Sequence, residues 1–151
     1  AEIAISAARV VRLFGFDPKV AFVSHSTFGQ PLTSRTKHIK DAVEILKKKK
    51  VDFEFDGDMQ PDVALDEEYK SLYPFSKIVG NANILIMPGQ HSAAISYKMM
   101  KTLGDAKVIG PLLIGLGLPI EIAPLRSSTS EIINLASIAA YSADVIDYNK
   151  D

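Results

Sequence analysis

Apolar residues at Ile3, Ile5, Ala8, Val11, Leu13 and Phe14 recur at helical spacing and predict an amphipathic helix that stops near Gly15. The run from Lys19 to Ser24 is short, apolar and rich in branched side chains, and reads as a buried strand. A polar loop follows over residues 24–34, holding Gly29 and Pro31. Ile39, Val43 and Leu46 mark a second amphipathic helix that ends in the lysines at 47–50. Val51 to Phe55 alternates strictly, as a strand with one polar face at a sheet edge does. Pro61 suits the first turn of a short helix reaching about Tyr69. Asn83 to Met87 is a second apolar strand, closed by Pro88-Gly89, and His91 to Leu103 reads as a helix with Gly104 as its stop. Strand character is also expected at 108–109, 111–114 and 120–123, and a long helix from Ser127 to Asp147.

Strands that alternate with helices and are apolar on both faces predict an α/β fold, a mainly parallel sheet layered with helices. In such folds the loops at the C-terminal ends of the strands are the default ligand region. The length, 151 residues, fits one domain. A hydrophobic share of 47% and a mean hydropathy of +0.11 exclude a disordered chain.

Charge changes the picture little. Seventeen basic against eighteen acidic side chains leave a net charge of −1, without the broad basic surface of a nucleic-acid binder. Residues 51–68 carry eight acids and no base, while residues 1–50 carry ten bases and four acids. Lys47 to Lys50 complete a helix end, where cations complement the dipole. No run approaches the ~20 apolar residues that a membrane span needs. There is no cysteine, hence no disulfide or thiolate metal site. The start at Ala1 lacks an initiating Met and a signal-peptide pattern, so a processed chain or a piece of a longer one is expected.

Several chemistries fail on spacing. Gly115-Leu116-Gly117 leads into Leu118-Pro119 with no third glycine and no helix, which is not a dinucleotide fingerprint. No Walker-type phosphate loop and no Gly-x-Ser-x-Gly elbow is present. His25, His38 and His91 do not share a helix face, so no metal site is expected. What remains are three polar loops: Ser24–Gln30, Met87–Ser92 and Arg126–Glu131. The third sets hydroxyls and free backbone N–H groups at a helix start beside an arginine, which suits an anion. It reads equally as a plain N-cap followed by an early Glu.

The loops carry motifs. Ser24-x-Ser26-Thr27-x-Gly29, Asp56-Gly57-x-Met59-Gln60-x-Asp62-x-Ala64-Leu65, Gly80-x-Ala82-Asn83-Ile84-Leu85-Ile86-x-Pro88 and Ile109-Gly110-Pro111-Leu112-Leu113-x-Gly115-Leu116 stand in order over nearly the whole chain. Together they resemble the phosphate acetyl/butyryl transferase family. The stretches Asp52–Gln60, Leu72-Tyr73-Pro74-Phe75 and Leu85–Ala93 are similar in particular to the phosphotransacetylase-like C-terminal domain of the large bacterial NADP-dependent malic enzymes. The resemblance implies an isocitrate/isopropylmalate dehydrogenase-like architecture. It makes residues 1–151 a partial domain of that kind, the C-terminal fragment of a longer multidomain chain.

One departure bears on activity. Aligned on Ile132-Ile133-Asn134, the Ser-Arg pair of active family members falls on Pro124-Leu125, and the family's catalytic aspartate falls on Glu131. Losing groups aimed at developing charge should remove several kcal/mol of transition-state stabilisation. The family enzyme is also roughly twice this length.

The resemblance therefore implies a regulatory and oligomerisation domain with no catalytic residues of its own and no metal. Its parent would be a malic enzyme converting malate to pyruvate, with NADP and a divalent metal (Mg or Mn) held in a catalytic domain outside this chain. The alternative is a fragment of an active phosphate acyltransferase. A further reading is a plain structural module with a vestigial cleft. The expected partners are an acetyl-CoA-like effector and a second copy in a homodimer or higher homo-oligomer, in the cytoplasm, with no nucleic acid or membrane. Ser26, Thr27 and Gly29 are the candidates for close backbone approach to the effector. His91 and Ser92 would supply polar contact, and Arg126 with Ser128 would hold phosphate.

Overall fold

The computed structural model describes the chain apart from residues 32, 105, 106 and 146–151, so the expected helix end at Asp147 lies outside the described residues. Six helices and three strands follow one another: α1 (Glu2–Leu13), β1 (Lys19–Val23), α2 (Ser34–Lys49), β2 (Glu54–Met59), α3 (Pro61–Leu65), α4 (Glu67–Ser71), β3 (Ile84–Ile86), α5 (Gln90–Leu103) and α6 (Thr129–Val145). The chain divides into two compact units, Ala1–Tyr97 and Lys98–Asp151.

In the first unit the three strands form a parallel sheet in the order β2-β1-β3. The central strand explains the layering. Val20 and Phe22 face one side and pack with Ala4 and Ala8 of α1 and with Ile39, Val43 and Leu46 of α2. Ala21 and Val23 face the other side and pack with Met59, Val63, Ala64, Ile78 and Ala82. Successive side chains of a strand point to opposite faces, so β1 needs apolar residues throughout. Ala4 and Ala8, one turn apart, let α1 lie close against β1 and β3. Thr33 caps α2 through a reciprocal pair: its Oγ1 accepts from Thr36 N, and Thr36 Oγ1 accepts from Thr33 N. Lys50 closes that helix in the left-handed region, φ 50°.

The structure corrects three expectations. The edge strand starts at Glu54 rather than Val51 and runs on to Met59, because Lys19 to Val23 pair with Glu54 to Met59. Asp56 does not end it, since its carboxylate accepts from the N–H groups of Gly57 and Lys77. The helix expected from Pro61 to Tyr69 is two helices. They are separated at Asp66, which is extended (φ −126°, ψ 123°) and caps α4 by accepting from Glu68 N. Residues 108–109, 111–114 and 120–123 form no strands. Pro111, Pro119 and Pro124 lack donors, and Gly110 and Gly115 turn the chain with φ of 131° and 81°.

Candidate functional site

The order β2-β1-β3 gives the sheet a reversal of direction. From β1 the chain crosses through α2 to one neighbour, then through α3 and α4 to the other. The loops that leave β1 and β3 therefore stand side by side at the C-terminal edge, where open α/β sheets bind ligands. These are Ser24–Gln30 and Met87–Ser92.

The first loop is tied down from within. Ser24 N continues the sheet by donating to Met59 O at 2.9 Å. Thr27 and Gln30 exchange backbone hydrogen bonds at 3.2 Å around Phe28 (φ 49°) and Gly29 (φ 85°), a turn with two left-handed central residues. A β-carbon at Gly29 would collide with the ammonium of Lys40, which lies over it. Phe28 is held in its uncommon conformation by a 2.6 Å bond from its N–H to Asp58 O and by ring contacts with Tyr73 and Phe75 at 5.5 and 4.8 Å.

Ser26 and Thr27 are buried, and their hydroxyls face inward. Ser26 Oγ donates to the Asp58 carboxylate and lies 3.2 Å from Ser24 Oγ. Thr27 Oγ1 accepts from Gln60 N at 3.2 Å, and Gln60 Nε2 donates to the carbonyl of His25 at 3.0 Å. The loop thus offers a ligand its backbone, its exposed side chains His25 and Gln30, and Lys40, while the two hydroxyls hold its shape. Asp58 is fully buried, and its Oδ1 has no hydrogen-bond partner among the described residues. A buried acceptor left so costs about 1–3 kcal/mol. At the second loop Ser92 Oγ donates to Gly89 O at 2.8 Å, and His91 is exposed on the first turn of α5.

Arg126 and Ser128 belong to the second unit. Arg126 is exposed, and Leu125 before it is wholly so. Ser128 and Glu131 form a capping box at the start of α6: Ser128 N donates to Glu131 Oε2 at 2.7 Å, and Glu131 N donates to Ser128 Oγ at 3.3 Å. Glu131 Oε1 also accepts from Lys101 Nζ at 2.9 Å. The Lys101 bond, then the Ser128 backbone and hydroxyl bonds, hold the Glu131 carboxyl down at about 2.

The structure therefore brings Ser26, Thr27 and Gly29 together, sets His91 and Ser92 on the same sheet edge, and gives Ser128 a capping role. Sequence reasoning passed over Asp58, Gln60 and Lys40 as contributors. Asp58 occupies one of the variable positions of the Asp56–Leu65 motif, and only its place beside Ser26 reveals it. No group of three or more His, Cys, Asp or Glu converges to hold a metal among the described residues. Among the same residues no helix is long and apolar enough to cross a membrane.

This parallel sheet and its loops have relatives. The Phosphate acetyl/butaryl transferase family profile matches residues 1–140. The chain belongs to the phosphate acetyl/butaryl transferase family. Within it, the chain is 47% identical over 143 residues to an NADP-dependent malic enzyme of Rhizobium meliloti, covering 95% of this chain and 19% of that protein. It is 38% identical over 145 residues to a phosphate acetyltransferase of Clostridium acetobutylicum, covering 95% and 44%. The crystal structure of a phosphotransacetylase from Streptococcus pyogenes superposes with a TM-score of 0.86 at 35% identity, over 95% of this chain and 44% of that one. The chain thus spans about a fifth of that malic enzyme and under half of those two transferases.

Proposed function

We propose that this chain is a non-catalytic regulatory and assembly domain of an NADP-dependent malic enzyme, in which it senses acetyl-CoA. In this reading it is a partial phosphotransacetylase-like domain, the C-terminal portion of a longer chain. The parent oxidatively decarboxylates malate to pyruvate in the cytoplasm. Its NADP and its Mg or Mn are, in this reading, held by a catalytic domain of the parent. That chemistry belongs to the part of the parent outside this chain.

One observation carries the non-catalytic reading: Glu131, at the place of the family's catalytic aspartate, is tied to Lys101 and to Ser128 and held at about 2. Both of its oxygens already accept hydrogen bonds, Oε1 from Lys101 and Oε2 from Ser128. Pro124 and the exposed Leu125, at the place of the family's Ser-Arg pair, add no group that could hold a phosphoryl oxygen. Purified chain mixed with acetyl phosphate and CoA should form no acetyl-CoA above background. Robust turnover abolished by Arg126→Ala would instead make the chain a fragment of an active transferase.

The assembly role is supported by the apolar surface of residues 98–145. Leu103, Leu118, Ile122 and Ile133 are all more than half exposed. Exposed patches of this kind mark interaction sites. A two-fold homodimer would cover them with one self-complementary patch. Sedimentation should show self-association at high concentration, and a strictly monomeric mass would remove this role.

A further inference from the structure

Two exposed groups of unlike character meet adjacent residues of the turn after β1. Phe28 and Gly29 are the central pair of the Thr27–Gln30 turn. Against the Phe28 ring stands that of Phe75, with centroids 4.8 Å apart and planes inclined at 66°. Over Gly29 lies the side chain of Lys40, whose Nζ would fall within hard contact of a β-carbon there. An aromatic ring and an ammonium thus flank neighbouring positions at the C-terminal edge of the sheet.

Packing explains neither group. Phe28 and Tyr73 join the apolar cluster beneath the loop, but Phe75 is not part of it and stays 63% exposed. Its contacts with Phe28 and Tyr73 are inclined at 66° and 89°, so neither ring stacks on it. An aromatic ring left largely in water gains little from its own burial. Phe28 itself holds a left-handed conformation, where glycine and asparagine are favoured and a bulky side chain is an outlier. Outliers of this kind cluster at loops that hold ligands. Lys40 is exposed and has no hydrogen bond or ion pair among the described residues. Glu44, one turn along α2 and spaced to pair with it, is engaged by Lys47 instead.

We infer that this edge holds a nucleotide by its two ends, the base stacked on Phe75 and a phosphate held by Lys40. An open π-face and a free cation beside one turn match a ligand that carries its base and its phosphate on one sugar. Stacking accepts any base, because every base has a π-face. The inference deepens the acetyl-CoA reading, on which it rests for adenine as the natural base, and assigns the nucleotide end of that ligand to the loop after β1. Gly29 serves it indirectly: with no β-carbon, it lets the Lys40 side chain lie across the turn. Phe28 is a positioning residue, since its ring stands against that of Phe75.

The test titrates the chain with ADP, which carries the base and the pyrophosphate of CoA, and in parallel with acetyl-CoA. The sequence has no tryptophan, so Phe75→Trp keeps an aromatic face and sets a single indole fluorophore at the site. ADP should bind this variant about as well as wild type and quench its emission. Phe75→Leu keeps the bulk and removes the π-face, and should weaken ADP binding about tenfold. Lys40→Ala should weaken it several-fold and flatten its dependence on salt, because a phosphate–ammonium contact is screened. Both side chains are exposed, so urea unfolding of the two variants should match wild type. ADP binding with these losses but no acetyl-CoA binding would end the acetyl-CoA reading and leave this inference standing. The inference is overturned by acetyl-CoA binding indifferent to Phe75 and Lys40, by ADP binding that survives either substitution unchanged, by an unquenched indole, or by no ADP binding at all.

Discussion

In residues 1–97 the apolar side chains of β1 are buried on both faces, and Leu46 and Met59 are fully enclosed. In residues 98–145 Leu135 is the single apolar side chain buried among the described residues, while Leu103, Leu118 and Leu125 are 80%, 66% and 103% exposed. Composition does not separate the two regions, since both are rich in Ile, Leu and Ala. The difference is a sheet. Strand pairing in the first region creates two flat apolar faces that helices can cover, whereas the prolines and glycines between 110 and 124 prevent a ladder in the second. The first region closes its own core. The second leaves most of its large apolar side chains exposed.

Core substitutions should expose this contrast most sharply. Leu46→Ala, in the first region, should cost about 2–5 kcal/mol in urea unfolding. Leu118→Ala, in the second, should stay within about 0.5 kcal/mol of wild type and act on self-association instead. Equal losses would erase the distinction.

A smaller effect is expected where a buried carboxylate holds loop backbone. Asp56→Ala leaves the N–H of Lys77 without its acceptor and should cost about 1–3 kcal/mol by the same measurement. Removing the α2 cap with Thr33→Ala should cost about 1 kcal/mol. If Thr33→Ala cost more than Asp56→Ala, helix capping would matter more to the first region than the carboxylate that holds its loop.

The smallest effect belongs to the second region and depends on acid. The Glu131 carboxyl is lowered from 4.5 to about 2 by Lys101 and Ser128. A group depressed in the folded state stabilises fully above its unfolded value and loses that contribution as pH falls through its folded value. The start of α6 should therefore loosen between about pH 4.5 and 2, seen in the amide signals of Ser128 to Glu131. Glu131→Gln should remove the pH dependence in that window. A transition unchanged by the substitution would assign it to other carboxylates.

Much of the first region was legible in the sequence, and the reasons are local. Lys19–Val23 is a short run of branched apolar side chains between two helical patterns and pairs as the inner strand, and the spacing of Ile39, Val43 and Leu46 leaves α2 one buried face. β2 was displaced by three residues because alternation at 51–55 resembles pairing, while the actual partner, Lys19, stands opposite Glu54. Apolar runs at 108–123 looked like strands because hydrophobicity alone cannot separate a strand from an apolar loop. At the candidate site the loops and their hydroxyls could be found from motifs. The inward direction of Ser26 and Thr27 could not, because it depends on Asp58 and Gln60, more than thirty positions away.

The proposed domain binds an acetyl-CoA-type ligand and performs no transfer. Titration calorimetry of the chain with acetyl-CoA tests this most directly. Saturable binding that weakens as salt rises is expected, because phosphate contacts with cationic side chains are screened. A loss on Arg126→Ala and Ser128→Ala is also expected, with the acetyl-CoA recovered intact. Binding untouched by those two substitutions would put the ligand elsewhere, and no heat even with the full parent chain would contradict the sensing role.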